Sequence, residues 1–242
     1  PPRDARVARP GPVPRLPCRG DRESGGTRTA RGDGLGEVEN PIELDSPIYI
    51  ASMSFGALSA NAKSALARGA RKAGTMTCTG EGGMLPEERT ENRTLVYQIT
   101  PSRYMLDLDH IRQADGLEIA VGQGAKPGTG GLLLGMKVSD RVAGMRTLPV
   151  GVDQRSTVRH PDFMGADDMG IKIAELREAT DYRVPIFVKM GATRPYYDTA
   201  VAAKTGAAVV VIDGMEGGTG DRPELVLATT GVPTLCATHA AR

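Results

Sequence analysis

The chain has 242 residues, 40% of them hydrophobic and 24% charged, with a formal net charge of +1. That balance excludes a nucleic-acid binder working by bulk electrostatics, and no run approaches the roughly 18 apolar residues of a membrane span. Cys18, Cys78 and Cys236 form no CxxC pair, which argues against a disulfide scaffold or zinc site and makes a reducing cytoplasm the default.

Residues 1–36 carry eight arginines and no lysine, with proline and glycine throughout and no Ile, Met, Phe or Tyr. Such a segment cannot bury enough apolar surface to offset its ordering entropy, and it lacks the apolar stretch of a secretory signal. A disordered leader is expected there, with the folded domain over 40–242.

The folded part opens with "PIYIAS" (47–52), a strand by its β-branched and aromatic content. Ser59 then offers an N-cap to a helix with Ala62, Ala65, Leu66, Ala70 and Ala73 at helical spacing, closed by Gly74. "TMTCTG" (75–80) reads as a second strand, followed by a polar loop rich in Glu and Arg. "LEIAVG" (117–122) is a third, with Val138, Val142 and Met145 marking a short helix after it. "LPVGV" (148–152) is a fourth candidate, and Met169, Ile173 and Leu176 stripe the next helix. "VPIFVKMG" (184–191) and "AAVVVIDG" (207–214) complete the set, separated by a helix over about 195–205. Continuous apolar strands alternating with helices imply a parallel sheet covered on both faces. Six βα units without a composition break predict an α/β chain of the (β/α)8 TIM-barrel type, incomplete at about six of eight units.

Functional groups of such barrels gather at the C-terminal ends of the strands. Here those ends read "ASMSFG", "CTGEGG", "VGQGAKPG", "VKMG" and "DGMEGGTG", every one glycine-rich with one or two polar side chains. Five equivalent ends point to one shared site. "VGQGAKPGTGG" (121–131) sets a single lysine, Lys126, among five glycines, which permit close backbone approach to a ligand. Taken alone, that stretch reads equally well as a surface loop. It lacks the GK[ST] ending of a nucleotide-binding P-loop. His110, His160 and His239 are scattered without a ligand pattern, so no metal site is expected.

The motifs "MSFGALS" (53–59), "TGEGG" (79–83), "VGQGAKPGTGG" and "DGMEGGTG" (213–220) resemble the FMN-binding synthase domain of glutamate synthases. "GMRTLPVGVDQRSTVRHPDF" (144–163) and "VKMGATRPYYD" (189–198) are similar to its compact members, which include the large subunit of N-methylglutamate synthase (methylamine–glutamate N-methyltransferase). The resemblance covers about residues 40–235. It implies a barrel holding FMN across its mouth with 2-oxoglutarate on the flavin. Ammonia would convert the keto acid to 2-iminoglutarate, and hydride transfer would yield L-glutamate. In the N-methylglutamate branch, methylamine and glutamate replace those substrates. A catalytically silent fragment or interaction piece of a synthase complex is the further alternative.

By the same resemblance, Ser52, Met53, Ser54, Thr79, Gln123, Lys189, Gly217, Gly218 and Thr219 would bind the flavin. Lys126 would hold and polarise the 2-oxoacid, Arg146 would take the distal carboxylate, Gly128 and Gly130 would line the substrate, and Glu81 would handle protons. From the residues alone, Lys189 also reads as a cation salt-bridging within the barrel, and Arg146 equally as a partner of its helix C-terminus. Leu132 stands where full-length members tend to carry glutamine. No cysteine triplet supports an iron–sulfur cluster, and no glutaminase nucleophile is present, so nitrogen would come from free ammonia, methylamine or a glutaminase-type subunit, with electrons from a separate donor subunit.

Overall fold

A computed structural model describes residues 39–104, 106–126, 129–216 and 229–242; the leader expected over 1–36 lies outside them. Seven strands are described: β1 (Thr77–Cys78), β2 (Leu95–Ile99), β3 (Gly116–Ala120), β4 (Leu132–Leu133), β5 (Gln154–Arg155), β6 (Ile186–Gly191) and β7 (Val209–Asp213). The described α-helices are α1 (Ala60–Lys72), α2 (Pro86–Glu91), α3 (Leu108–Gln113), α4 (Asp140–Arg146), α5 (Ala166–Ala179), α6 (Pro195–Lys204) and α7 (Thr234–Ala241), with a 3-10 turn at Gly135–Lys137. None is long and apolar enough to cross a membrane.

The main sheet is parallel throughout, in the order β1-β2-β3-β6-β7. Ile50 extends it at the β1 edge through a parallel bridge to Thr77. Each strand lies beside the previous sheet strand in chain order, so the sheet advances in one direction. A doubly wound sheet reverses its order at a switch point; this one does not, and it forms part of a (β/α)-barrel wall. Between β3 and β6 the chain makes a small antiparallel ribbon, pairing Leu132 with Arg155 and Leu133 with Gln154.

Three expected elements are corrected. "PIYIAS" contributes only the bridge at Ile50. "LPVGV" is not a strand: Pro149 has no N–H to give a ladder, Gly151 takes φ +74°, and Val150 and Val152 are exposed. The expected polar loop after β1 instead contains β2, "LVYQI", buried at all five positions. Its shortness and the charged "PEERTENR" before it conceal the run in sequence.

The two faces of the sheet have different characters. On one, Leu95, Tyr97, Ile99, Leu117, Ile119, Ile186 and Val188 pack against Ile111 of α3 and the Met169, Ile173 and Leu176 stripe of α5. That is the largest apolar core. On the other, the residues in between are Cys78, Gln98, Glu118 and Lys189, over a smaller layer of Met76, Val96 and Phe187. Ile42, Leu44 and Tyr49 of the segment before α1 pack on that layer. The inner face is therefore apolar at its base and polar towards the strand ends.

Helix α1 starts where expected, with the Ser59 hydroxyl accepting the Ala62 N–H at 3.2 Å. Its buried stripe is turned from the expected one: Ala70 is buried as expected and Ala62 and Leu66 are half-buried, but Lys63 and Ala67 also face inward while Ala65 and Ala73 are exposed. The rotation carries the Lys63 ammonium beneath the first two strand-end loops. There it donates to the carbonyls of Met53 and Thr79, each at 2.8 Å, and pairs with Glu88 of α2 at 2.9 Å. Three acceptors satisfy its three protons.

Both members of the Lys63–Glu88 pair are buried, so removing one strands the other. Lys63→Met should lower the unfolding free energy by about 3–5 kcal/mol. The double change Lys63→Met with Glu88→Leu should recover much of that loss, because no carboxylate is then left alone in the interior. Urea unfolding of both variants checks this; equal destabilisation in the two would refute it.

Candidate functional site

Above the polar half of the inner face, the strand-end loops enclose a cavity of about 420 Å³. Ser52, Ser54, Glu81, Gln123, Lys126 and Arg146 contribute to its walls, with Leu132–134 along one side. A recess of about 120 Å³, lined by Gln98, Thr100 and Gly130, shares Ser52, Ser54, Glu81, Gln123 and Lys126 with it. Residues from the first three strand ends and from α4 thus meet in one place.

Polar contacts orient the walls. The Glu81 carboxylate accepts at one oxygen from the hydroxyls of Ser156 (2.8 Å), Ser102 (2.9 Å) and Thr100 (3.3 Å). Beside it, the Arg146 guanidinium is almost fully buried and donates to the carbonyls of Phe55 (2.8 Å) and Glu81 (3.3 Å) and to Gln154 (3.4 Å). Burial lowers its pKa from the ordinary value, while Glu81 pulls it the other way. None of these bonds goes to the last carbonyls of α4, so the helix-terminus reading of Arg146 is not the one built. Its Nε is buried without a hydrogen-bond partner. Deeper in, the Lys189 ammonium lies 3.1 Å from the Ser52 hydroxyl and 3.8 Å from the Asp213 carboxylate. Asp213 also accepts the Gly124 N–H at 3.0 Å, tying β7 to the loop after β3.

Glycines let the loops close on one another. A Cβ at Gly80, where φ is +69°, would lie 2.6 Å from the Met53 backbone. One at Gly124 would lie 2.0 Å from the Gly214 carbonyl oxygen, and one at Gly130 1.8 Å from that of Ser156. Glycine richness in "VGQGAKPGTGG" therefore serves contact between backbones, beyond any approach to a ligand.

Most of the expected residues come together. Ser52, Met53, Ser54, Glu81, Gln123, Lys126 and Arg146 line the larger cavity and Gly130 the recess. Lys189 sits below, paired within the barrel with Asp213, a partner the sequence did not identify. Thr79 is a correction: its hydroxyl is turned into the sheet, bonding the Gly80 carbonyl and accepting the Gln98 N–H, and it lines neither space. Gly128, Gly217, Gly218 and Thr219 lie outside the described residues. Sequence reasoning missed Gln98 and Thr100 because it missed β2, and missed Ser156, which sits inside the quoted "DQRST" without a distinguishing pattern. Lys137 also lines the larger cavity. Among the described residues, no group of three His, Cys, Asp or Glu is arranged to hold a metal ion.

His160 anchors the loop system from behind. Its Nε2 meets the Ala120 carbonyl at 2.8 Å, where β3 gives way to the glycine-rich loop, and its ring stacks on Phe163. Burial pushes its pKa down to about 4.

The family profile described as "Conserved region in glutamate synthase" matches residues 26–242. A glutamate synthase large subunit-like protein of Rhizobium meliloti (strain 1021) is 56% identical over 223 residues, covering 92% of this chain and 50% of that protein. An archaeal glutamate synthase [NADPH] of Methanocaldococcus jannaschii is 37% identical over 193 residues, covering 79% and 38%. The chain thus spans half or less of the length of these relatives. Among solved structures, a mandelate oxidase with an FMN adduct aligns at a TM-score of 0.42 and 20% identity, over 76% of this chain and 52% of the other.

Two measurements test this packing. Gly124→Ala should destabilise by about 1–3 kcal/mol, since backbone oxygens cannot yield to the new methyl. Gly144→Ala, in α4 with nothing within 4 Å, should be neutral or gain up to about 1 kcal/mol. His160 stabilises the fold above its unfolded pKa near 6.5 and loses that contribution as pH falls towards about 4. Relative to His160→Gln, the wild-type chain should lose up to about 3 kcal/mol across that window by pH-dependent urea unfolding. A difference that does not change with pH would contradict this.

Proposed function

The chain belongs to the glutamate synthase family, and from that premise we propose that it forms part of an FMN-dependent oxidoreductase that converts 2-oxoglutarate and ammonia to L-glutamate. The observation that carries the reading is the shared cavity, where a lysine, an arginine and an oriented carboxylate face one another above a buried lysine. FMN fits the donor set. Ser52, Met53 and Ser54 line the cavity, Gln123 supplies an amide, and Lys189 supplies a cation for the pyrimidine edge. The flavin, when bound, would supply the hydride.

The chain's own residues would do the rest. Lys126 would hold the 2-oxoacid carboxylate and polarise the adjacent carbonyl, favouring attack by ammonia and loss of water to give 2-iminoglutarate. Arg146, which lines the cavity, would offer its guanidinium to the distal carboxylate. Glu81, fixed by three hydroxyls, would exchange a proton with the incoming nitrogen. Leucines 132–134 would keep water from the reacting carbon. Glutaminase-type and electron-donor subunits would supply nitrogen and electrons, and replacing ammonia by methylamine in the same assay separates the N-methylglutamate branch.

If Lys126 anchors the 2-oxoacid, Lys126→Ala should leave FMN affinity nearly unchanged and weaken 2-oxoglutarate binding by roughly 2–5 kcal/mol. Lys126→Arg should not fully rescue, because a planar guanidinium differs in size and shape from an ammonium. Stopped-flow reoxidation of the reduced, FMN-loaded chain by 2-oxoglutarate plus ammonia, at increasing 2-oxoglutarate, reads this out. Unaltered saturation in the alanine variant would remove Lys126 from the substrate site.

A further inference from the structure

Beneath the cavity, the inner face of the sheet holds a buried carboxyl with no assigned role. Glu118, in the middle of β3, is only 3% exposed. One of its oxygens accepts from the Gln98 side-chain amide at 2.7 Å and from the Cys78 thiol at 3.7 Å. Both donors are neutral. No ion pair to Glu118 is formed among the described residues, because the nearby buried cation is engaged elsewhere: Lys189 pairs with Asp213 and contacts Ser52. Asp213 is the better site for an ionised carboxylate, being about a quarter exposed and also accepting the Gly124 N–H.

The charged and titratable groups around Glu118 are few. Cys78 faces it from β1, Lys189 from β6, Asp213 from β7 and Tyr49 from the segment below. Among the described residues, one ammonium thus stands against two carboxyls, of which Glu118 is buried. An unpaired buried carboxylate is costly enough that such a group usually takes up a proton instead. Burial raises the Glu118 pKa, against opposing pulls from Lys189, Gln98 and Cys78 and with some help from Asp213. The Tyr49 hydroxyl, pushed up to about 12, and the Cys78 thiol, raised by burial, also stay neutral.

We propose that Glu118 is a neutral carboxylic acid at neutral pH and acts as a positioning residue. It holds the Gln98 side chain in the floor of the recess and leaves Lys189 balanced by Asp213 alone. Its charge state rests on the buried geometry by itself. The consequence for the flavin rests on the proposed function: an ionised Glu118 would add negative charge below a ring whose reduced form is anionic, and so lower its potential. Gln98 links the two levels, since it lines the recess and bonds Glu118.

The first test needs no flavin. Infrared spectra of the full chain in D2O at neutral pH should show the carbonyl stretch of a protonated carboxylic acid, absent from Glu118→Gln. If that variant fails to fold, the wild-type chain labelled with ¹³C at the glutamate carboxyls should show one signal still protonated at neutral pH. No such band and no such signal would overturn the proposal. Proton release on urea unfolding at pH 7 should be about one larger for wild type than for Glu118→Gln, because the exposed glutamate ionises; equal release would also overturn it. With FMN loaded, the wild-type midpoint potential should fall more steeply than that of Glu118→Gln as pH rises through the Glu118 ionisation. Parallel profiles would refute the redox consequence. A chain that shows the carboxylic-acid band but takes up no flavin would defeat the flavin reading and leave the assigned protonation standing.

Discussion

The Lys63 ammonium is the constraint on which the arrangement of the site depends. It lies inside the protein at the contact of α1 with α2, and its three protons go to Met53 O, Thr79 O and Glu88. Two of those acceptors are backbone carbonyls of the loops that form the first two walls of the cavity. A buried ion pair contributes little net stability over a well-packed apolar pair. What it supplies here is geometry, since an ammonium held by a carboxylate presents fixed donors to two loops at once. Ser52–Ser54 and Gly80–Glu81 are thereby set at one separation.

The remaining loops are fixed to that pair by close backbone contact and by the Asp213 carboxylate. Gly80 lies against Met53, Gly124 against Gly214, Gly191 against Gln123, and Gly130 against Ser156. Each contact excludes a side chain, so each demands glycine for steric reasons independent of ligand. Together they bring polar groups from well-separated parts of the chain around one volume without strand pairing between the loops. The same closeness makes the cavity sensitive to single methyl groups at positions that touch no substrate.

A parallel sheet with helices on one side and a polar interior on the other explains the unequal distribution of charge. The outer face obeys ordinary core rules and packs its largest apolar cluster against α3 and α5. On the inner face, side chains from neighbouring strands meet: Gln98 reaches Glu118, Cys78 approaches it, and Lys189 meets Asp213. Burial makes these few charges interdependent, because water cannot screen them. A change in the protonation of one is felt by all.

The sequence by itself determined the alternation of apolar strands and helices, the Ser59 cap, the α5 stripe and the glycine-rich strand ends, because each depends on local periodicity or on the conformational freedom of a few adjacent residues. It also brought Ser52, Glu81, Gln123, Lys126 and Arg146 under suspicion, since long ordered motifs carry them. It failed at β2, whose five residues are too few for a periodic signal beside charged neighbours, and at "LPVGV", where apolar content outweighed Pro149 and the turn at Gly151. Only the tertiary structure decided that α1 turns a lysine inward, that the Thr79 hydroxyl serves the sheet, that Arg146 is buried on backbone carbonyls, and that Glu118 forms no ion pair among the described residues. Each of those outcomes depends on which groups from distant segments share a dehydrated volume, and sequence spacing does not record that proximity.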